Sequence, residues 1–249
     1  MGLAEVEYLN GILSIIFVFL SIVIGIKIAL KYREYRKPIF LLFGSTWILL
    51  AEPWYPMAVS FLVALVNDKG LTIEQYLLIG VVLVPLGIFI GVTAATELIF
   101  KEQQKIIQII FAIIGAVFEI FFIYCIFNEP SLIGDINGIV DLELSPIAQL
   151  YLLSMAGVIL LLGILFSRES LKSDDPEIKL KGKMILIAFI TFSIGAVMEA
   201  TIPLNLANEA QYILMLLISR TILIFSAIAF YCGFYLPKFM KNLFIKEER

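Results

Sequence analysis

Histidine is absent from the 249 residues. That removes the usual imidazole ligands of zinc hydrolases and the commonest general base. No glycine-rich phosphate loop occurs, so nothing points to nucleotide chemistry. Cysteine occurs only at Cys125 and Cys232. They fall near opposite ends of their apolar segments, too far apart in depth for a mutual disulfide, and read as small buried thiols. Charge is scarce as well. Asp, Glu, Lys and Arg make up 16% of the chain, against about 25% in a soluble domain. The net charge of −3 gives no reason to expect a nucleic-acid partner.

What is abundant is apolar sequence, 61% of the residues, gathered into long runs. A membrane helix needs ~20 predominantly apolar residues to cross a ~30 Å hydrocarbon core. Seven segments qualify: residues 8–30, 39–66, 74–100, 106–127, 147–166, 184–204 and 210–236. They are long and do not alternate, which favours helices over a barrel. The fold expected is all-α, one polytopic seven-helix membrane domain (residues 1–249) with small loops and no soluble domain. The first segment follows Glu5 and Glu7 rather than a basic stretch, so it does not read as a cleavable signal.

Basic residues set the expected orientation. Apart from Lys69 and Arg220, every Lys and Arg falls in the stretches 27–37, 101–105, 168–183 or 238–249. All four share one side of a seven-helix layout, which places the N-terminus outside and the C-terminus inside. The protein is expected to be a multi-pass protein of the plasma membrane, with the lipid bilayer as its first partner. The outer loops are acidic, which reads mainly as avoidance of basic residues. The longest outer loop, residues 128–146, reads as a plain connection, with a lid over the outer mouth as the alternative.

Three glutamates interrupt the apolar segments: Glu52, Glu119 and Glu199. A charge at the centre of a membrane helix costs about 3 kcal/mol on insertion scales, so such residues default to functional sites. They follow Lys37, Lys105 and Lys183 by 15, 14 and 16 residues. At ~1.5 Å per residue, all three lie ~22 Å above the inner boundary, in the outer third. Ile114–Glu119 reads IGAVFE and Ile194–Glu199 reads IGAVME. Glu52 and Glu199 are each followed four residues later by a proline, Pro56 and Pro203, which predicts a kink one turn beyond the carboxylate. An internal repeat of three hairpins is one interpretation of this pattern.

Arg220 follows Glu209 by 11 residues, and Glu199 precedes it by 10. A helical hairpin brings Arg220 and Glu199 to one depth, and an Arg–carboxylate pair is expected there. It serves either a site or the simple locking of two helices. Glu52 and Glu119 are then left to a proton, a cation or a ligand amine. Trp54, Tyr55 and Tyr124 are candidates for an adjoining aromatic wall, although aromatics near an interface also form the headgroup belt. The candidate ligand- or ion-binding set is therefore Glu52, Glu119, Glu199, Arg220, Trp54, Tyr55 and Tyr124. No catalytic residue, metal site or cofactor is expected. The seventh segment has no lysine for a retinal Schiff base, and no buried aspartate pair suggests a protease.

The stretch Lys181–Glu199, with Ser219-Arg220-Thr-Ile-Leu and Phe230-Tyr-Cys-Gly-Phe-Tyr-Leu-Pro237, resembles a group of uncharacterised archaeal seven-helix membrane proteins. The resemblance covers mostly the last third of the chain. It implies a similar fold and a prokaryotic plasma membrane, and it brings no activity. The functional expectation is a receptor-like or sensory protein, not an enzyme, that binds a small ligand or cation near the outer-third cluster. A signal would pass to a cytoplasmic or membrane signalling partner. The alternatives are a proton- or cation-coupled small-solute transporter and a structural subunit of a membrane complex.

Overall fold

A computed structural model describes residues 3–201 and 209–245. Seven helical spans are long and apolar enough to cross a membrane: Glu5–Tyr35, Ile39–Asn67, Ile73–Ile99, Gln104–Asn128, Pro146–Leu171, Pro176–Thr201 and Glu209–Tyr235. The chain is thus an all-α, multi-pass integral membrane protein, with one small hairpin added. Spans 1, 4, 5, 6 and 7 are the single helices α1 (Glu5–Tyr35), α6 (Gln104–Asn128), α7 (Pro146–Leu171), α8 (Pro176–Thr201) and α9 (Glu209–Tyr235). Span 2 is α2 (Ile39–Leu50) and α3 (Tyr55–Asn67), joined by a 3-10 turn at Glu52–Trp54; span 3 is α4 (Ile73–Gly80) and α5 (Val84–Ile99).

The expected segments are all present, with shifts at their ends. The sixth begins earlier than residue 184 because Pro176–Lys183 is helical: Glu177 pairs with Lys181 one turn on, at 3.0 Å, and with Lys241 of α10 (Lys238–Phe244) at 2.6 Å. Pro203, and with it the second proline-kink expectation, lies outside the described residues.

Spans 1, 2, 3, 5, 6 and 7 follow one another as neighbours in a closed ring, and span 4 packs on span 3 from outside. Only 17% of the apolar window of span 4 is buried, against 50% for spans 2 and 3. Lipid chains give helices no hydrophobic reason to associate, so close backbone approach matters. Spans 1 and 2 meet at Gly25 and Gly44, where a Cβ on Gly25 would lie 2.7 Å from the Gly44 carbonyl oxygen. Aromatic packing fills the middle: Trp47 stacks on Phe230 at 4.0 Å between ring centres, and Trp54 meets Phe17 edge-on at 5.1 Å.

The loop 128–146 is not a plain connection. It forms a hairpin of β1 (Gly134–Asn137) and β2 (Asp141–Leu144), antiparallel, with Asn137 opposite Asp141. Ile133 and Val140 are wholly buried. The Ile139 amide donates to Glu7 of span 1, and its carbonyl accepts from Ser60 of span 2 at 2.6 Å. Tyr76 of span 3 donates to the Val140 carbonyl at 3.1 Å. Gly138 turns the hairpin at φ 76°, a left-handed conformation that glycine adopts without strain. This is the lid alternative. Beyond its own strand pairing, it is tied to spans 1, 2 and 3, which are distant in sequence. The hairpin marks one end of the bundle. The other, basic end carries Lys31, Lys101, Lys172 and Lys241.

Candidate functional site

Spans 2 and 3 are interrupted side by side. Pro53 and Pro56 lack amide hydrogens, so α2 cannot continue through them, and the chain restarts as α3 with Pro56 in its first turn. The expected kink is therefore a full break, and it sits before Pro56, at the glutamate itself. Tyr55 donates its hydroxyl to the Ile48 carbonyl at 2.6 Å, satisfying the end of α2. Span 3 breaks at residues 81–83, just before Pro85. Glu52 joins the two breaks. Its Oε1 accepts the Leu83 amide at 2.6 Å, its side chain is wholly buried, and its Oε2 has no hydrogen-bond partner among the described residues. The Pro56 ring lies against Gly80, where a Cβ would come within 2.7 Å of Pro56 Cγ.

A second constellation lies between the hairpin and spans 1, 2, 6 and 7. Arg220, wholly buried, places Nη2 3.2 Å from Glu199 Oε2. The same nitrogen donates to Asn10 Oδ1 at 2.8 Å and approaches Met57 Sδ at 2.9 Å. Ser219 donates to Glu199, and the Trp54 indole faces that carboxylate. Asn10 Nδ2 passes the network on to Asp141 Oδ2 at 3.3 Å, and the Tyr212 hydroxyl donates to the same oxygen at 2.6 Å. Asp141, on the hairpin, is held above the ordinary carboxylate range because burial disfavours its charge. The Tyr212 hydroxyl, the Leu142 amide and Arg220 act in the opposite direction.

Beside this network is a cavity of about 460 Å³. Spans 2, 3, 5 and 6 line most of it with Leu, Val, Ile and Met side chains, and Phe192 adds an aromatic face. Polar groups gather where the hairpin covers it: Asp141, Glu143, Gln149, Glu199, Tyr76 and Tyr212. Gln149 is fixed there by donating to the Ala200 carbonyl. Small-molecule sites share this composition, mostly apolar walls with a few convergent polar groups.

The glutamates are not equivalent. Glu199 is in the cavity wall and pairs with Arg220. Glu52 lies between the wall residues Leu50 and Pro53 but does not itself line the cavity; it holds the helix breaks. Glu119 sits half-buried on peripheral span 4, and its side chain makes no hydrogen bond or ion pair among the described residues. Tyr124, on the same helix, is 63% exposed and lies away from the cavity. Depth and the IGAV-x-Glu match place Glu119 with the other glutamates, and depth places Tyr124 there, but neither says which side of a helix faces the bundle. Trp54 is in the cavity wall, whereas Tyr55 serves the α2 break. The sequence reading missed Asn10, Met57, Asp141 and Tyr212. Asn10 had a signal, an amide within an apolar run. Asp141 had none that separates it from the other acidic loop residues. The chain matches no family model, no curated protein and no solved structure.

Proposed function

We propose that this integral membrane protein is a receptor-like sensor that binds a small molecule in the cavity beneath the hairpin. In this reading the hairpin end faces outward and the basic end faces the cytoplasm, following the distribution of Lys and Arg. The membrane is the plasma membrane of a prokaryote, the fold is non-enzymatic, and the basic end meets a signalling partner. The observation that carries the reading is the cavity itself, apolar along spans 2, 3, 5 and 6 and ending on the Glu199–Arg220–Asn10–Asp141 network. The test is a thermal-shift screen of purified wild type against an Ala196→Phe variant, whose added ring fills the wall position of Ala196. Compounds that stabilise wild type and leave the filled variant unmoved support the site. Equal shifts in both refute it.

One observation favours coupled transport as the second reading: adjacent spans are interrupted at the same place and tied by a buried glutamate. Discontinuous helices of this kind build ion and substrate sites in transporters. Uptake into proteoliposomes that requires a proton or cation gradient and is abolished by Glu52→Gln supports transport. Binding without uptake favours the sensor.

A further inference from the structure

We infer that the cavity takes a lipophilic organic monocation, an amine or quaternary ammonium carried on a compact apolar body. This rests on the proposal that the cavity is the ligand site, and it names the chemical class admitted there.

The charged side chains of the wall are all acidic: Asp141, Glu143 and Glu199. Among the described residues the wall contains no Lys or Arg. Arg220 lies behind it, wholly buried, with Nη2 turned to Glu199, Asn10 and Met57. One guanidinium thus stands against two carboxylates of its own network, Glu199 and Asp141, while Glu143 adds a third at the exposed rim. An anion entering the cavity would meet carboxylates first. One positive charge completes the balance.

Four further features define the cation. Trp54, Tyr76, Phe192 and Tyr212 line the cavity together with the carboxylates, and aromatic faces attract alkylated ammonium groups. Apart from Gln149 and Thr201 the remaining wall is apolar, which suits a hydrocarbon body rather than a hydrated ion. Hard metal cations ask for about six or more oxygen ligands around one point. The described residues contain no cluster of three or more metal-ligating side chains. The volume of about 460 Å³ falls within the roughly 300–1,000 Å³ of small-molecule sites.

The chain has two tryptophans, and only Trp54 lines the cavity. In the full chain carrying Trp47→Phe, Trp54 is therefore a single fluorescent reporter. The experiment reconstitutes that protein in nanodiscs of zwitterionic lipid. It titrates benzyltriethylammonium, a neutral isostere in which carbon replaces the nitrogen, and benzenesulfonate. The expected result is a saturable Trp54 signal with the cation, at least tenfold weaker binding of the neutral compound, none of the anion, and no displacement by Na⁺. Asp141→Asn keeps the shape of the network and should weaken cation binding at least tenfold. Glu143→Gln, at the exposed rim, should weaken it severalfold and gives a readout if Asp141→Asn does not fold. Neutral and cationic probes binding equally, competition by Na⁺, or unchanged affinity in the foldable carboxylate variants overturns the charge class and leaves the cavity as a site. No saturable response to any probe, or a response that survives Ala196→Phe, overturns both.

Discussion

Replacing Arg220 by methionine should cost about 3 kcal/mol of stability, and removing the Glu199 charge as well should restore part of it. Arg220 is wholly buried, and its Nη2 serves Glu199 at 3.2 Å, Asn10 at 2.8 Å and Met57 at 2.9 Å. Breaking a buried ion pair from one side costs about 3–5 kcal/mol, because the other charge is left without compensation. The lower end applies here. The Glu199 side chain is 13% exposed in the cavity wall, so water screens part of its charge, and Ser219 still donates to it. Asn10 Oδ1 keeps the Ser14 hydroxyl at 3.3 Å. In the double variant Arg220→Met, Glu199→Gln both charges of the pair are gone, the Ser219 bond has an amide oxygen to accept it, and Asp141 keeps its Tyr212 and Asn10 donors. A coupling of about 1–3 kcal/mol is expected, the range for residues in one network. The assay is reversible unfolding of wild type, both single variants and the double variant in mixed micelles, with denaturing detergent as the perturbant. If Arg220→Met costs under ~1 kcal/mol, or the two changes add to within ~0.5 kcal/mol, the pair does not hold the bundle as argued.

At Glu52 the two obvious substitutions should separate. Glu52→Gln keeps an oxygen for the Leu83 amide and should cost under ~1 kcal/mol, whereas Glu52→Ala leaves that amide unsatisfied and should cost about 1–3 kcal/mol; equal costs in the same unfolding assay would show that the amide bond is not what joins the breaks. Gly44→Ala puts a methyl group against the Gly25 carbonyl oxygen and 2.7 Å from the Ala29 amide nitrogen, so spans 1 and 2 must separate at a cost of about 1–3 kcal/mol, which a thermal melt would report. The lid should respond to acid. Burial raises Asp141 above its unfolded value, so the folded protein binds that proton more tightly, and the contribution is fully present below the unfolded pKa and lost as pH rises through the raised one. Hydrogen-exchange protection of the Ile139 and Leu142 amides, corrected for intrinsic rate, should therefore grow as pH falls into the mildly acidic range and should flatten in Asp141→Asn. Protection that weakens over that range would reverse the sign of the argument.

Much of the site was legible in pieces. The register of the last two spans around Glu209 was enough to bring Glu199 and Arg220 together, because helical rise fixes depth whatever the neighbours do. The same count placed Glu119 and Tyr124 in the layer but said nothing of rotation about the helix axis. Span 4 packs only at the edge of the ring, so both fall outside the cavity. Pro56 makes a disturbance near Glu52 readable. Its partner, the break at residues 81–83, was hidden because Pro85 and the glycines around it also suit an ordinary packed membrane helix.

The sequence by itself determined the class of molecule: seven apolar runs of sufficient length, their order, the segregation of basic residues to one end, and the carboxylates and guanidinium that need partners. These follow from local chemistry, since a chain in lipid must satisfy its backbone within each helix. Only the tertiary structure decided which of those groups share a cavity. It closed six spans into a ring and left the fourth outside. It also folded the loop between spans 4 and 5 into a hairpin whose Asp141 reaches Asn10 and Tyr212, residues 131 and 71 positions away. Contacts at that separation depend on how whole helices rotate and pack, which neither the period nor the composition of any one segment encodes.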